Sequence, residues 1–221
     1  MLALLDICHA TASARGRLCA CLEPHSLGRL RAVAGDARLV AGEVLFGQGA
    51  PADAVYGLRQ GAVMLATRMP DGRRQVLSFL FPGDTFGFSA DDSHGCSAIA
   101  LRRSSFCRIP LSALEEDGEL AVRMHAIAQA RMADTFEHMV RLGRMTAGER
   151  VSDFLFWLWR RLDQPAEMAL PMRLLDIADH LGLRLETVSR RMAALRRAGI
   201  LGPLSTDGVL PVLDGPALRQ R

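Results

Sequence analysis

The stretch that decides the fold is Leu174-Leu-Asp-Ile-Ala-Asp-His-Leu-Gly-Leu-Arg-Leu-Glu-Thr-Val-Ser-Arg-Arg-Met-Ala-Ala-Leu-Arg-Arg197. Leu174–Leu181 reads as a short helix, Gly182 breaks it, and Glu186–Arg197 reads as a second, longer helix. Ala178, Gly182 and Val188 stand at the spacing that two crossing helices require. Ala178 is small where the helices meet, and Gly182 accepts the positive φ of a tight turn. Ile177, Leu181, Leu183, Val188, Met192 and Leu195 supply an internal core. The pattern predicts a helix-turn-helix.

The second helix presents Arg184, Glu186, Thr187, Ser189, Arg190 and Arg191 towards its N-terminal half. Arginine suits a bidentate bond to guanine O6 and N7, glutamate accepts from cytosine N4, and serine bonds either way. Thr187 and the helix N-terminus suit a phosphate. Double-stranded DNA is therefore the expected partner. Downstream, Gly199-Ile-Leu201 leads to Thr206-Asp-Gly208 between two short apolar runs, a candidate wing hairpin.

Upstream, Thr146-Ala-Gly-Glu149 is a capping box that opens a helix over 150–162, with Val151, Phe154, Leu155, Leu158 and Trp159 on one face. Residues 163–167 read as a loop. A longer helix is predicted over 120–144, with Met124, Ile127, Ala128, Met132, Phe136, Met139 and Leu142 at steps of three and four. Arg123, Gln129, Asp134, Glu137 and Arg141 take the reverse face. About 24 residues span ~36 Å, more than a small domain needs. A stripe of this length is expected to serve as a dimer seam through Met124, Ile127, Met132 and Met139. Ser112 with Glu115 suggests a second capping box and a brief helix.

Between Ala37 and Ile109 the chain reads as short strands: Glu43–Phe46, Val55–Leu58, Ala62–Ala66 and Gln75–Leu80. Turn residues separate them, and Pro70-Asp71-Gly72 is a hairpin signal, since proline fixes φ and glycine accepts a positive one. Such strands predict a small antiparallel sandwich or roll.

Charge agrees with a C-terminal DNA reader. Residues 1–143 carry 15 Arg against 15 acidic side chains, and residues 144–221 carry 12 against 9, so the formal excess of +3 lies in the last third. No run of ~18 apolar residues suggests a membrane span. Met1–Cys8 is apolar but lacks a basic flank and is interrupted by Asp6, so no signal peptide is read. Five cysteines, an odd number, point to a reducing cytoplasm. No nucleophile–base pair, phosphate loop or HExxH motif is present, so an enzyme is not expected.

Asp176–Leu183 followed by Glu186-Thr-Val-Ser-Arg190 resembles the DNA-binding helices of the CRP/FNR family, in its FNR and FixK branch. Leu80-Phe-Pro-Gly-Asp84 is similar to that family's β-roll, Leu142-Gly-Arg-Met-Thr-Ala147 to its hinge, and Gly199-Ile-Leu201 to its wing entry. The resemblance implies an α+β chain: an N-terminal segment (1–36), a cyclic-nucleotide-binding-like antiparallel β-roll or jelly roll (37–110), a dimerisation helix (111–145) and a winged helix-turn-helix (146–221). It also implies a homodimer that works with RNA polymerase on a site resembling TTGAT-N4-ATCAA. Arg190 would read the G, Glu186 the opposite C or a nearby A, and Ser189 the T. Arg191 departs from the pattern, standing where many members have an apolar or small residue, and a phosphate is then its expected target.

Members that bind cyclic AMP carry a Gly-Glu pair and an Arg-Ser-Ala run. Here Gly87 precedes Phe88, and Cys96-Ser97-Ala98 replaces the run, so the charge partner of a cyclic phosphate is missing. The oxygen-sensing branch holds a [4Fe–4S] cluster on three N-terminal cysteines and one in the roll. Cys107, in Ser105-Phe-Cys-Arg-Ile-Pro110, resembles the fourth ligand. Cys8 and Cys19 match the ends of a C-x2-C-x7-C pattern, with Thr11 between them and Cys21 as an extra thiol. Two readings stay open: a cluster on Cys8, Cys19, Cys21 and Cys107, or small apolar thiols with no cofactor. A reactive thiol near Arg15 and Arg17, haem on a histidine, and a FixK-like regulator without any small effector stay open beside them.

Overall fold

The computed structural model describes residues 22–220, so Cys8, Cys19 and Cys21 lie outside the described residues. Two compact units divide the chain between Thr135 and Phe136.

Among the described residues the first element of the first unit is α1 (Pro24–Val33), started by proline at its first turn. Eight strands follow: β1 (Gly35–Leu39), β2 (Val44–Phe46), β3 (Ala54–Gln60), β4 (Val63–Arg68), β5 (Arg74–Leu80), β6 (Thr85–Phe86), β7 (Ser97–Ala100) and β8 (Ser104–Pro110). They form two four-stranded sheets, ordered β1-β8-β3-β6 and β2-β7-β4-β5, and neighbouring strands in both run antiparallel. The predicted roll is thus present. The β4–β5 turn follows from its residues. Gly72 adopts φ +85°, its N–H donates to the Met69 carbonyl at 2.9 Å, and Asp71 accepts from the Arg73 N–H at 3.0 Å.

Period-two alternation sorts the strand side chains between two cores. Ala54, Tyr56, Leu58 and Phe106 enter a cluster with Phe46, Val63, Leu80, Phe86 and Ala98, where the rings of Phe46, Tyr56, Phe86 and Phe106 touch. Val55 and Ile109 point the other way, into a second cluster with Leu30, Leu114, Leu120, Met124 and Ile127. Central strands β3 and β8 are therefore covered on both faces, which is why Ala54–Leu58 reads as an almost unbroken apolar run.

That second cluster corrects one expectation. Met124 and Ile127 do not face a partner; they are buried in the chain's own core. The long helix, α3 (Gly118–Arg144), is apolar on more than one side. Its exposed apolar side chains lie elsewhere: Met132 is 54%, Phe136 56% and Met139 61% exposed, with Val122 and Val140 also exposed. The brief helix is α2 (Leu111–Glu115), but Pro110, not Ser112, occupies its N-cap, because proline pre-sets the extended backbone there and leaves Ser112 inside the first turn.

The turn after β5 is tied to α3 by a buried charge. Asp84 accepts from the Phe81 N–H at 2.8 Å and pairs with Arg131 at 2.5 Å, while Arg131 also reaches exposed Asp134 at 3.7 Å. Removing one partner of a buried pair leaves an uncompensated charge, whereas an exposed pair adds little.

The second unit contains α4 (Ala147–Arg161), β9 (Glu167–Ala169), α5 (Leu174–Leu181), α6 (Leu185–Arg197), β10 (Val209–Pro211) and a short 3-10 helix (Pro216–Gln220). The Thr146–Glu149 capping box is formed, with the Thr146 N–H donating to Glu149 at 2.7 Å and the Glu149 N–H to Thr146 Oγ1 at 3.3 Å. It starts α4 at Ala147, three residues earlier than the sequence reading. Val151, Phe154, Leu155 and Leu158 are buried along one face. Trp159 is half-buried, its indole N–H donating to the Pro165 carbonyl at 3.0 Å. Among the described residues no helix is long and apolar enough to cross a membrane.

Asp84→Ala is expected to lower stability by about 3 kcal/mol, and Asp134→Ala by less than about 0.5 kcal/mol. Equilibrium urea unfolding followed by circular dichroism checks the contrast.

Candidate nucleic-acid interface

Helix α5 begins where the Arg173 N–H donates to the buried Asp176 carboxylate at 2.9 Å. It ends at Gly182, whose φ of +62° lets its N–H and that of Leu183 both return to the Ala178 carbonyl. Ala178 is completely buried, as a crossing point requires. Of the predicted internal core, Ile177, Leu181, Val188 and Leu195 are buried, and Leu183 and Met192 are half-buried.

Burial of Val188 and Leu195 fixes which face of α6 is free. Arg184, Glu186, Ser189 and Arg190 are exposed, and Thr187 is half-buried. Arg184 is the N-cap and makes no side-chain cap bond, so its guanidinium is not engaged by the helix it precedes. Glu186 and Arg190 are one turn apart, so one surface carries an acceptor and a forked donor as base readout needs. Arg191 departs from this set: its Nε and Nη2 donate inward to Ser152 Oγ at 3.2 and 2.9 Å.

The wing is present and larger than the sequence suggests. β10 pairs with β9 in register Val209–Ala169, Leu210–Met168 and Pro211–Glu167, and Leu201 bridges Val212. Ser205 and Val209 close the tip, with the Ser205 N–H donating at 2.9 Å and Gly208 at φ +77°. Strand β9 falls at the edge of the stretch read as a loop.

Two features of this unit carry no sequence signal. Arg150 donates from Nε to the Met145 carbonyl at 3.1 Å, from Nη2 to Leu142 at 2.5 Å and from Nη1 to Leu181 at 3.1 Å. One guanidinium thus satisfies carbonyls at the C-terminal ends of α3 and α5, where a positive charge is favoured. His138 stacks on His180, ring centroids 4.2 Å apart, and its Nε2 is buried without a hydrogen-bond partner. Burial holds the His138 pKa below its ordinary value; the charges of Arg141 and Arg150 add to this, and a hydrogen bond with the His180 backbone opposes it.

In the roll, Cys107 is half-buried on β8. Cys96 precedes β7, and burial pushes its thiol pKa up, away from the reactive thiolate. Gly87 adopts φ +95°, and a Cβ there would stand 3.0 Å from Tyr56 and 3.2 Å from the Ala54 carbonyl. Its glycine follows from the backbone alone. His94 is buried and stacks on Phe46 at 3.7 Å; burial lowers its pKa, with Asp53 opposing. Among the described residues, no group of three or more His, Cys, Asp or Glu side chains is placed to hold a metal ion.

A β-roll followed in the chain by a winged helix-turn-helix defines a class of DNA-binding transcription regulators. A cyclic nucleotide-binding domain matches residues 37–116 and a Crp-like helix-turn-helix domain residues 149–221. The chain is 38% identical over 185 residues to the nitrogen fixation regulation protein FixK of Azorhizobium caulinodans, covering 80% of this chain and 74% of that protein. It is 32% identical over 169 residues to an anaerobic regulatory protein of Pasteurella multocida, covering 72% and 62%. The solved structure of FixK2 from Bradyrhizobium japonicum superposes with a TM-score of 0.79 at 37% identity, covering 85% of this chain and 96% of that one. The chain belongs to the CRP/FNR family, in its FixK-like branch. Its members are transcription regulators, not enzymes.

Because the folded pKa of His138 lies below the unfolded value of about 6.5, the unfolded chain takes up the proton first. The contribution of neutral His138 is fully present above about pH 6.5 and is lost as pH falls below it, towards the lowered folded value. Stability measured at about pH 7 and about pH 5.5 should drop less in His138→Phe than in the wild-type chain.

Proposed function

We propose that the chain is a homodimeric, cytoplasmic transcription regulator that reads a two-fold site of the TTGAT-N4-ATCAA type and acts with RNA polymerase. The observation that carries the reading is the exposed face of α6, where Glu186, Ser189 and Arg190 stand together while Val188 and Leu195 are buried behind them. Arg190 donates its fork to guanine, Glu186 accepts from the opposite cytosine or a nearby adenine, and Ser189 meets thymine. Thr187 and Arg184 bind phosphate and set the register. Two copies, one per half-site, lie about one DNA turn apart. The exposed stripe of Met132, Phe136, Met139 and Val140 on α3 supports pairing of two copies.

Gel shifts test this. The wild-type chain should prefer the palindrome over a scrambled duplex, and Arg190→Ala should lose about 1–3 kcal/mol of that preference. Equal binding of both duplexes by both proteins sinks the base-reading assignment.

A redox response is the second reading, on a [4Fe–4S] cluster held by Cys8, Cys19, Cys21 and Cys107. Cys107, half-buried on β8, is the member of that set among the described residues. One relative is named for anaerobic regulation. Bound there, a cubane supplies an oxygen-labile redox centre, and the chain contributes four thiolates and the apolar surface beside Cys107. Cyclic nucleotide is not the effector in this reading, since Phe88 and Cys96 stand at the positions that would pair with ribose and phosphate. Protein purified without oxygen should carry about four irons and four acid-labile sulfides per chain. Their absence from protein that still shifts the palindrome rules out the cluster and leaves control to the amount of regulator, as in a FixK-like protein without an effector, to thiol oxidation, or to a different effector.

A further inference from the structure

Arg191 follows Arg190 directly, yet the two guanidinium groups have opposite surroundings. Arg190 is exposed. Arg191 crosses to α4, where Nε and Nη2 both donate to the hydroxyl of Ser152, a side chain in a residue only 1% exposed. Its guanidinium carbon lies 3.6 Å from the point where a side chain on Gly148 would begin. Its charge also helps hold the Glu149 carboxyl below its ordinary value, after the larger effect of the two hydrogen bonds with Thr146. This is the N-terminal end of α4, where the helix dipole disfavours a cation. A forked bond to a buried hydroxyl and a neighbouring carboxylate hold it there.

The consequence is geometric. Residues 190 and 191 are about 100° apart around the helix axis. Pinning one therefore sets the direction of the other. A roll of about 20° would carry a guanidinium about 8 Å from the axis through about 3 Å, enough to break a bidentate base contact.

We propose that Arg191 is a positioning residue: through Ser152 it fixes the roll of α6, and with it the accuracy with which Glu186 and Arg190 read bases, without itself touching DNA. The proposal rests on the base-reading assignment above and goes beyond it by removing Arg191 from the DNA contacts.

The test uses the full chain. Wild-type protein first enriches a site from random duplexes. A site unlike the palindrome overturns the assumed target sequence only, and the variants are then compared on the enriched site. Affinity for that site and for a scrambled duplex is measured across a salt series in wild type, Arg191→Met, Arg191→Lys, Ser152→Ala and the Arg191→Met/Ser152→Ala double variant. Active fractions are set by stoichiometric titration, so misfolded protein does not enter the ratio. The preference for the site should fall about tenfold in Arg191→Met and in Ser152→Ala, and no further in the double variant. The salt slope on scrambled DNA should stay at the wild-type value, and Arg191→Lys should restore part of the preference. A phosphate contact predicts otherwise: Arg191→Met lowers the salt slope by about one unit on both duplexes, and Ser152→Ala leaves preference unchanged. Either of those results overturns the proposal.

Discussion

Three backbone carbonyls at the ends of two helices converge on the Arg150 guanidinium, and the arrangement of the DNA-reading unit depends on that meeting. Helix ends leave carbonyls without partners, and a cation answers both the missing hydrogen bonds and the negative end of the dipole. The Thr146–Glu149 capping box starts α4 so that Arg150 emerges in its first turn. From there it reaches back to Leu142 and Met145, at the end of α3, and across to Leu181, one residue before the Gly182 turn. The position of α5 is thereby set from the α4 side, and α6 follows through a turn with almost no conformational choice. The Arg150 guanidinium thus places the turn from which the reader helix starts, and the helix's own Val188, Leu195 and Arg191 seat it against the rest of the unit.

A second use of the same economy occurs in the roll. Asp84 accepts from its own turn and pairs with Arg131 on α3, so one buried carboxylate closes a loop and fastens a helix. Most of the remaining interior is apolar, built from aromatic rings in contact and from strands β3 and β8 that feed two cores at once, with Ser26, Thr85, His94, Ser104 and Asp117 as further buried polar residues. This explains why the roll reads clearly despite few aromatic residues: their positions, not their number, specify it.

What is legible in the sequence is local. The helix-turn-helix follows from Ala178, Gly182 and Val188, the hairpin from Pro70-Asp71-Gly72, and the start of α4 from Thr146 and Glu149. Strand β9 escapes the sequence reading although Met168, Leu170 and Met172 alternate and are buried, because three residues of period two beside a loop composition are a faint signal. Helix α1 escapes it because only Ser26 and Leu30 of its ten residues are buried. On α3, periodicity locates the apolar positions but not their destinations. Two stripes overlap there, and Met124 and Ile127 belong to the inner one. Arg150, Ser152 and His138 are illegible for a different reason. Their partners are carbonyls, a guanidinium and a ring that lie 5 to 42 positions away, and no spacing rule announces them.

The placement of the aromatic residues has an optical consequence. Trp157 and Trp159, the two tryptophans of the chain, both lie in α4, and the single tyrosine, Tyr56, lies in the core of the roll. Emission excited at the red edge of indole absorption therefore comes from the DNA-reading unit alone. Unfolding of that unit registers in tryptophan emission while the roll, which contains no indole, is silent in that channel. One half of the molecule thus carries its own reporter, and no label needs to be attached to use it.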